Sequence, residues 1–225
     1  MQTDPVVGDC EHGLGLIQLF AFFVAMDKKY RLAVFASGSG TNAERFFLHF
    51  KDHHSIGVAL LLSNNPQAFA LQRARRAGVP SQVFNKEQLG NGEVLRCLQQ
   101  AGATHIVLAG FLWLVPESLI GAYPGKIINI HPALLPKYGG KGMYGQKVHE
   151  AVKAANEKET GITIHLVDRH YDKGPILFQA KAKIGPGDTP GDIAGKVHQL
   201  EHEHYPRVVE EWVLTGTVPF SPGQM

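Results

Sequence analysis

Asn129-Ile130-His131-Pro132-Ala133-Leu134-Leu135-Pro136 sets an amide and an imidazole two residues apart, after the apolar, β-branched run Lys126-Ile127-Ile128. Side chains alternate along a strand, so Asn129 and His131 share a face. The two prolines stop sheet or helix from continuing. An amide N–H can donate to an oxyanion as it develops, and an imidazole can move a proton near neutral pH. A second polar loop, Asp168-Arg169-His170-Tyr171-Asp172-Lys173-Gly174-Pro175, also follows an apolar strand and can bring a carboxylate to the imidazole. An isolated Asn-x-His is equally a polar cap on a strand end. The second loop is what points to acid–base chemistry.

A third stretch carries a different chemistry. Gly38-x-Gly40-x-x-Ala43 follows an apolar strand and opens a helix, as in the dinucleotide pattern G-x-G-x-x-G/A. That pattern wants an acidic residue about 20 positions on, at the end of the second strand, for the ribose hydroxyls. Here that strand ends Leu62-Ser63-Asn64-Asn65, with no carboxylate. The loop therefore reads as a cradle for one phosphate of a mononucleotide-like ligand, with backbone N–H groups joined by Thr41 and Asn42. A purely structural tight turn is the alternative.

His198-Gln199-Leu200-Glu201-His202 fits the zinc-peptidase pattern H-x-x-E-H. The chain holds 12 histidines, so chance matches come easily, and no third ligand stands out. We read a polar helix face whose Glu201 touches substrate, with no metal. His165, within Gly161-Ile-Thr-Ile-His-Leu-Val167, reads as a strand histidine facing another polar group. Trp113 and Trp212 read as packing residues.

The elements that must position these residues follow from periodicity. Apolar runs at Arg31–Ala36, Gly57–Leu62, Val83–Phe84, Ile106–Ala109 and up to Asn129 predict buried strands. Helices are predicted from Asn42, with Thr41 or Asn42 as cap, and over Pro66–Ala77, Lys86–Gln100 with a Gly-Asn-Gly interruption, and Pro116–Ala122. Beyond a Pro/Gly-rich loop come a helix over Gln146–Ala155, a hairpin-like antiparallel pair Gly161–Val167 and Ile176–Ile184, and a long helix, Ile193–Leu214, capped by Asp188-Thr-Pro-Gly-Asp. Strands alternating with helices imply an α/β fold: a single doubly wound, mostly parallel sheet with a Rossmann-like N-terminal half.

The 225 residues are 44% hydrophobic and 19% charged, as expected of one globular domain. A net charge of +2 gives no reason to expect nucleic acid or a membrane as partner. Two cysteines, Cys10 and Cys97, suggest neither a metal site nor a disulfide framework and suit a reducing cytoplasm. Gly13–Ala25 is apolar apart from Gln18, but it is short for a membrane span, and Asp4, Asp9 and Glu11 replace the basic flank of a secretory signal. Residues 1–26 are therefore expected to be an extension outside the fold, with Met26 as the working start and residues 27–225 as the domain.

Taken together, VLAGF (107–111), NIHPALLPKY (129–138), GITIHLVDRHYDKGP (161–175), LEHEHYP (200–206) and SGSGTN (37–42) resemble the phosphoribosylglycinamide formyltransferases, a folate-dependent family of purine synthesis. The resemblance runs from about Arg31 onward. It implies Asn129, His131 and Asp172 as catalytic residues. Gly40, Thr41 and Asn42 would hold the substrate phosphate, and Glu201 would contact its ribose. The folate pocket would comprise Leu112, Trp113, Leu114, Val115, Asn129, Asp168 and Tyr171, with Lys86 as the basic residue supplied from before the third helix. It further implies 10-formyltetrahydrofolate as co-substrate, glycinamide ribonucleotide as acceptor, no metal, and a monomer or homodimer. Many relatives carry Arg where this chain has Trp113, and some carry a histidine-bearing version of the loop Gly139–Gly145. Methionyl-tRNA formyltransferase shares the fold but would need a further C-terminal domain and a basic surface. A formyltetrahydrofolate hydrolase would use water as acceptor, and a non-catalytic nucleotide-binding module would not need the Asn129–His131–Asp172 trio.

Overall fold

The computed structural model describes residues 27–216. The expected extension over residues 1–26 lies outside the described residues. Seven strands form one mostly parallel sheet in the order β3-β2-β1-β4-β5-β6-β7. The chain makes two compact units, one up to Ile106 and the other from Val107.

The first unit alternates strand and helix: β1 (Tyr30–Phe35), α1 (Thr41–His49), β2 (Ile56–Ser63), α2 (Phe69–Arg76), β3 (Ser81–Val83), then α3 (Lys86–Gly90) and α4 (Glu93–Gln100). β1 pairs parallel with β2, and β2 with β3. Both faces of such strands are covered, which is why β2 is nearly continuous in Ile, Val and Leu. Its core gathers Leu32, Phe35, Phe46, Leu61 and Leu98, all essentially without solvent exposure. α2 begins three residues later than the expected Pro66. The Asn65 side chain accepts from the Gln67 N–H, and its carbonyl from the Ala68 N–H, which makes a turn first. The cap of α1 also differs from expectation. It is Gly40, in the left-handed region at φ 71, and no side chain caps the helix. A Cβ at this position would lie 2.5 Å from the Ala70 Cα, so the turn requires glycine twice over.

β4 (His105–Leu108) spans the division between the units. The second unit continues with α5 (Glu117–Ala122), β5 (Ile127–His131), α6 (Gln146–Ala154), β6 (Glu159–Leu166), β7 (Ile176–Lys183) and α7 (Pro190–Thr215). β6 and β7 pair antiparallel, as the hairpin pattern predicts, and β5 also pairs antiparallel with β6. β5 runs two residues past its expected end because His131 still pairs with Thr163. α7 starts with a reciprocal Thr189–Asp192 capping box, with Pro190 in its first turn. Its Tyr205 is fully buried, and the phenol donates to the Leu108 carbonyl at 2.9 Å, with the Ile128 carbonyl at 3.4 Å. This anchors the helix that carries Glu201 to the strand leading into Asn129. Among the described residues, no helix is long and apolar enough to cross a membrane.

α6 and α7 bury His149, 3% exposed, whose Nδ1 has no hydrogen-bond partner. Burial, with repulsion from His198 and His131, lowers its pKa from 6.5 to about 4. The unfolded chain therefore binds more protons than the native one between these values, so stability falls as pH drops through that window. We expect His149 to remove about 2 kcal/mol of unfolding free energy between pH 7 and pH 5. His149→Leu should lose that share of the pH dependence in urea titrations at the two pH values. An unchanged slope would refute the assignment.

Candidate active site

Asn129 and His131 end β5, and the antiparallel register sets His165 directly across from Asn129 and Thr163 across from His131. Asp172 arrives from the loop between β6 and β7. That loop turns back tightly: the Leu166 N–H donates to the Pro175 carbonyl at 2.9 Å, and a Cβ on Gly174 would fall 1.8 Å from the Leu166 oxygen. Asp172 sits in the left-handed region at φ 54, which aspartate tolerates better than most residues. The expected trio converges. Asp172 Oδ2 lies 3.5 Å from His131 Nδ1, and Asp172 Oδ1 lies 3.5 Å from Asn129 Nδ2.

Three further groups complete the cluster. Asp172 Oδ2 accepts from the Gly140 N–H at 2.8 Å, and the His131 Nε2–H donates to the Tyr138 carbonyl at 2.7 Å. The third is His165, whose Nδ1–H donates to the Leu166 carbonyl at 2.8 Å. This leaves Nε2 as an acceptor from Asn129 Nδ2 at 3.1 Å, with Asp172 Oδ1 at 3.5 Å. His165 thus fixes which way the Asn129 amide points. The expectation of a strand histidine facing a polar group holds, but its link to the trio was not foreseen. The signal was present in Gly161–Val167: Thr163 and His165 alternate onto the face that Asn129 and His131 occupy.

The loop after His131 is held from below. Thr163 Oγ1 donates to the Ala133 carbonyl at 2.7 Å and accepts from the Leu135 N–H at 2.9 Å. Gln179 Nε2 bonds both Thr163 Oγ1 and the Leu135 carbonyl, at 2.8 and 3.0 Å.

The Asp172 carboxylate raises the His131 pKa, as an opposite charge should, but the net direction is down. Burial lowers it most; the Asp172 carboxylate and the Tyr138 carbonyl pull it back up without prevailing, and His165 adds to the lowering. Burial alone would raise the Asp172 carboxyl. The neighbouring His165 ring, the His131 charge and the Gly140 N–H outweigh burial and hold it below the usual carboxylate range.

The other expected residues lie as follows. In the first unit, Thr41 is half-buried and Asn42 buried at the start of α1, while Lys86 opens α3, exposed. In the second, Leu112 and Leu114 are exposed, Trp113 and Tyr171 half-buried, and Val115 buried. Asp168 turns inward on its own loop, accepting from the His170 N–H at 2.7 Å. Glu201 is buried, 6% exposed. The rings of His198 and His202 stack at 6.4 Å, and among the described residues no group of His, Cys, Asp and Glu could hold a metal ion.

Asp172→Asn isolates the carboxylate's part in this balance. Without the charge that raises its pKa, His131 should titrate still lower in an NMR titration of its imidazole. An unchanged or higher value would show that Asp172 does not act on His131.

The chain is also similar to known proteins. The formyl transferase family model matches residues 30–209. The chain is 40% identical, over 81% of its length, to the chloroplastic phosphoribosylglycinamide formyltransferase of Arabidopsis thaliana, and spans 65% of that protein. It is 37% identical to the phosphoribosylglycinamide formyltransferase of Bacillus subtilis (strain 168), covering 80% of this chain and 93% of that one. The crystal structure of phosphoribosylglycinamide formyltransferase from Bacillus halodurans superposes with a TM-score of 0.75 at 35% identity, over 83% of this chain and 96% of that one. With trio, fold and family model in agreement, the chain belongs to the formyl transferase family, among the phosphoribosylglycinamide formyltransferases.

Proposed function

We propose that this protein moves the formyl group of 10-formyltetrahydrofolate to the amine of glycinamide ribonucleotide (5'-phosphoribosylglycinamide), releasing the N-formyl product and tetrahydrofolate in purine synthesis. The observation that carries this reading is the convergence of Asn129 and His131 from the end of β5 with Asp172 from the β6–β7 loop, Asp172 Oδ2 lying 3.5 Å from His131 Nδ1. The reading includes a cytoplasmic monomer or homodimer, with no metal and no nucleic-acid or membrane partner.

In this reaction the amine attacks the formyl carbon, a nitrogen–carbon bond forms, and charge grows on the formyl oxygen. The bond from the formyl carbon to the folate nitrogen then breaks, and the proton shed by the amine ends on that nitrogen. Asn129 supplies the oxyanion donor. One of its N–H groups is held by His165; the other reaches Asp172 only at 3.5 Å, a weak contact that is easily redirected. A preorganised donor of this kind is worth about 3 kcal/mol of barrier.

His131 has Nε2–H committed to Tyr138, so the exchanging proton belongs on Nδ1, against Asp172. Its lowered pKa favours the neutral ring, which suits it to accept the amine proton before passing it on. Exposed Leu112 and Leu114 beside Trp113 suit a flat heteroaromatic ring. Asp168, Tyr171 and Lys86 are assigned to folate by the resemblance. Gly40, Thr41 and Asn42 offer backbone and side-chain donors for a phosphate, and Glu201 an acceptor for ribose hydroxyls.

The deciding experiment mixes purified protein with 10-formyltetrahydrofolate, with and without glycinamide ribonucleotide, and follows tetrahydrofolate. Release that depends on the ribonucleotide is expected. Release without it would indicate a hydrolase, and none in either case would refute the reading. Asp172→Asn should lower turnover by about 10²–10⁴ while both dissociation constants stay within a few-fold. Near-native turnover would reduce Asp172 to a loop-stabilising residue. In Thr41→Val and Glu201→Ala, ribonucleotide binding should weaken and folate binding should not. Equal loss of both would show that the pocket assignment is wrong.

A further inference from the structure

The start of β6, on the side of Thr163 away from His165, borders a separate cavity through Glu159 and Thr160. The register sets Gly161 opposite Lys181 and Thr163 opposite Gln179, so Glu159, Lys181 and Gln179 share one face. The cavity holds about 330 Å³, within the size range of small-ligand sites. Leu134, Leu135 and Pro136 give it an apolar wall.

Beside Tyr138, Val152, Thr160 and Gln179, the rest of its lining carries balanced charge. Lys137 Nζ lies 2.8 Å from Glu157 Oε1, and Lys181 Nζ lies 3.3 Å from Glu159 Oε2. All four residues line the cavity. The lysine side chains are 67% and 60% exposed, and ion pairs so open to water contribute little to stability. A ligand's own charges can therefore replace these pairings at small loss. An anion alone would meet two carboxylates, and a cation alone two ammonium groups. A molecule carrying both charges beside an apolar group matches every wall.

We propose that this cavity is a second ligand site, taking a small zwitterion with an apolar side chain, of the α-amino acid class. Its carboxylate meets Lys137 and Lys181, its ammonium Glu157 and Glu159, and its side chain the Leu134–Pro136 wall. The site is wired to the catalytic cluster through one residue. The Tyr138 phenol donates to Glu157 Oε1 at 2.9 Å, while its backbone carbonyl accepts from His131 Nε2 at 2.7 Å. Tyr138 is held in the left-handed region at φ 57, so a pull on its ring is not absorbed by free rotation of a relaxed loop. Occupancy of the cavity thus bears on the carbonyl that fixes His131.

The test needs no substrate, so its outcome is separate from the formyl-transfer reading. The full chain is titrated calorimetrically with L-leucine, with isocaproate, which lacks the ammonium, and with isoamylamine, which lacks the carboxylate. Saturable L-leucine binding is expected, with each single-charge analogue weaker by about tenfold or more. Lys181→Met and Glu159→Gln should each weaken L-leucine by a similar factor while leaving circular dichroism and formyl transfer unchanged. L-leucine should also move the His131 imidazole resonances in the parent protein and not in Tyr138→Phe. No saturable binding, equal binding of the three probes, or binding indifferent to both charge-removing substitutions would overturn the site. An identical His131 response in Tyr138→Phe would overturn the wiring.

Discussion

The Asp172 carboxylate is the group on which the catalytic end of this protein depends. Its side chain is 11% exposed, and a charge so far out of water costs several kcal/mol unless its lone pairs are met. The Gly140 N–H donates to it from the loop after β5 and the Asn129 amide from β5 itself, while the rings of His131 and, from β6, His165 lie 3.5 Å away and answer its charge when protonated. One carboxylate therefore fastens the glycine-rich loop and its own loop to two neighbouring strands. The same four neighbours that make its burial tolerable keep it ionised, so structural and electrostatic demands are satisfied together. Left-handed backbone at Asp172 and at Tyr138 costs on the order of 1 kcal/mol each, and both residues sit within this network. Such strain persists only where surrounding bonds over-determine the conformation.

What brings the partners to the carboxylate is strand register. A slip of one residue between β5 and β6 would turn both Thr163 and His165 to the opposite face. His165 would then release Asn129, and Thr163 would release Ala133 and Leu135. The bond set from Thr163 and Gln179 converts the register of two antiparallel strands into the path of the segment between His131 and Pro136. Pinning from the helical side comes from Tyr205, whose phenol reaches the carbonyls of Leu108 and Ile128. The position of Asn129 is thus set by cross-strand and helix-to-strand hydrogen bonds more than by its own neighbours in sequence.

This explains which parts were legible beforehand. The strand ending at Asn129-x-His131, the glycine turn before α1 and the antiparallel pair at the end of the sheet all rest on local signals: alternation, β-branching, and prolines that end an element. Those features appear within a residue or two of where periodicity sets them. The role of His165 was not legible, because facing Asn129 is a property of pairing between strands far apart in sequence. The Gly40 cap displaced Thr41 and Asn42 for a related reason. Close approach of Ala70, from another helix, is what demands a glycine there. The orientation of the Asn129 amide was likewise out of reach, since it depends on the His165 tautomer, which depends in turn on the Leu166 carbonyl.

The His131 pKa shows the same limit in energetic form. Sequence reasoning supplies the sign of each contribution: an adjacent carboxylate raises an imidazole pKa, and burial lowers it. It does not supply their ratio, which depends on how completely β5, β6 and the Tyr138 loop exclude water. His131 is 3% exposed, and exclusion wins. The consequence is an imidazole whose Nε2–H is spoken for and whose Nδ1 lone pair faces an anion. That arrangement is relieved by a proton on Nδ1, yet burial keeps the proton from staying in the resting protein. A group balanced between these two demands takes up a proton when a nearby amine becomes cationic and gives it up readily afterwards. Under the proposed reaction, such balance serves a two-way transfer better than either a strongly basic or a permanently neutral histidine, because both halves of the transfer then run without a deep minimum between them.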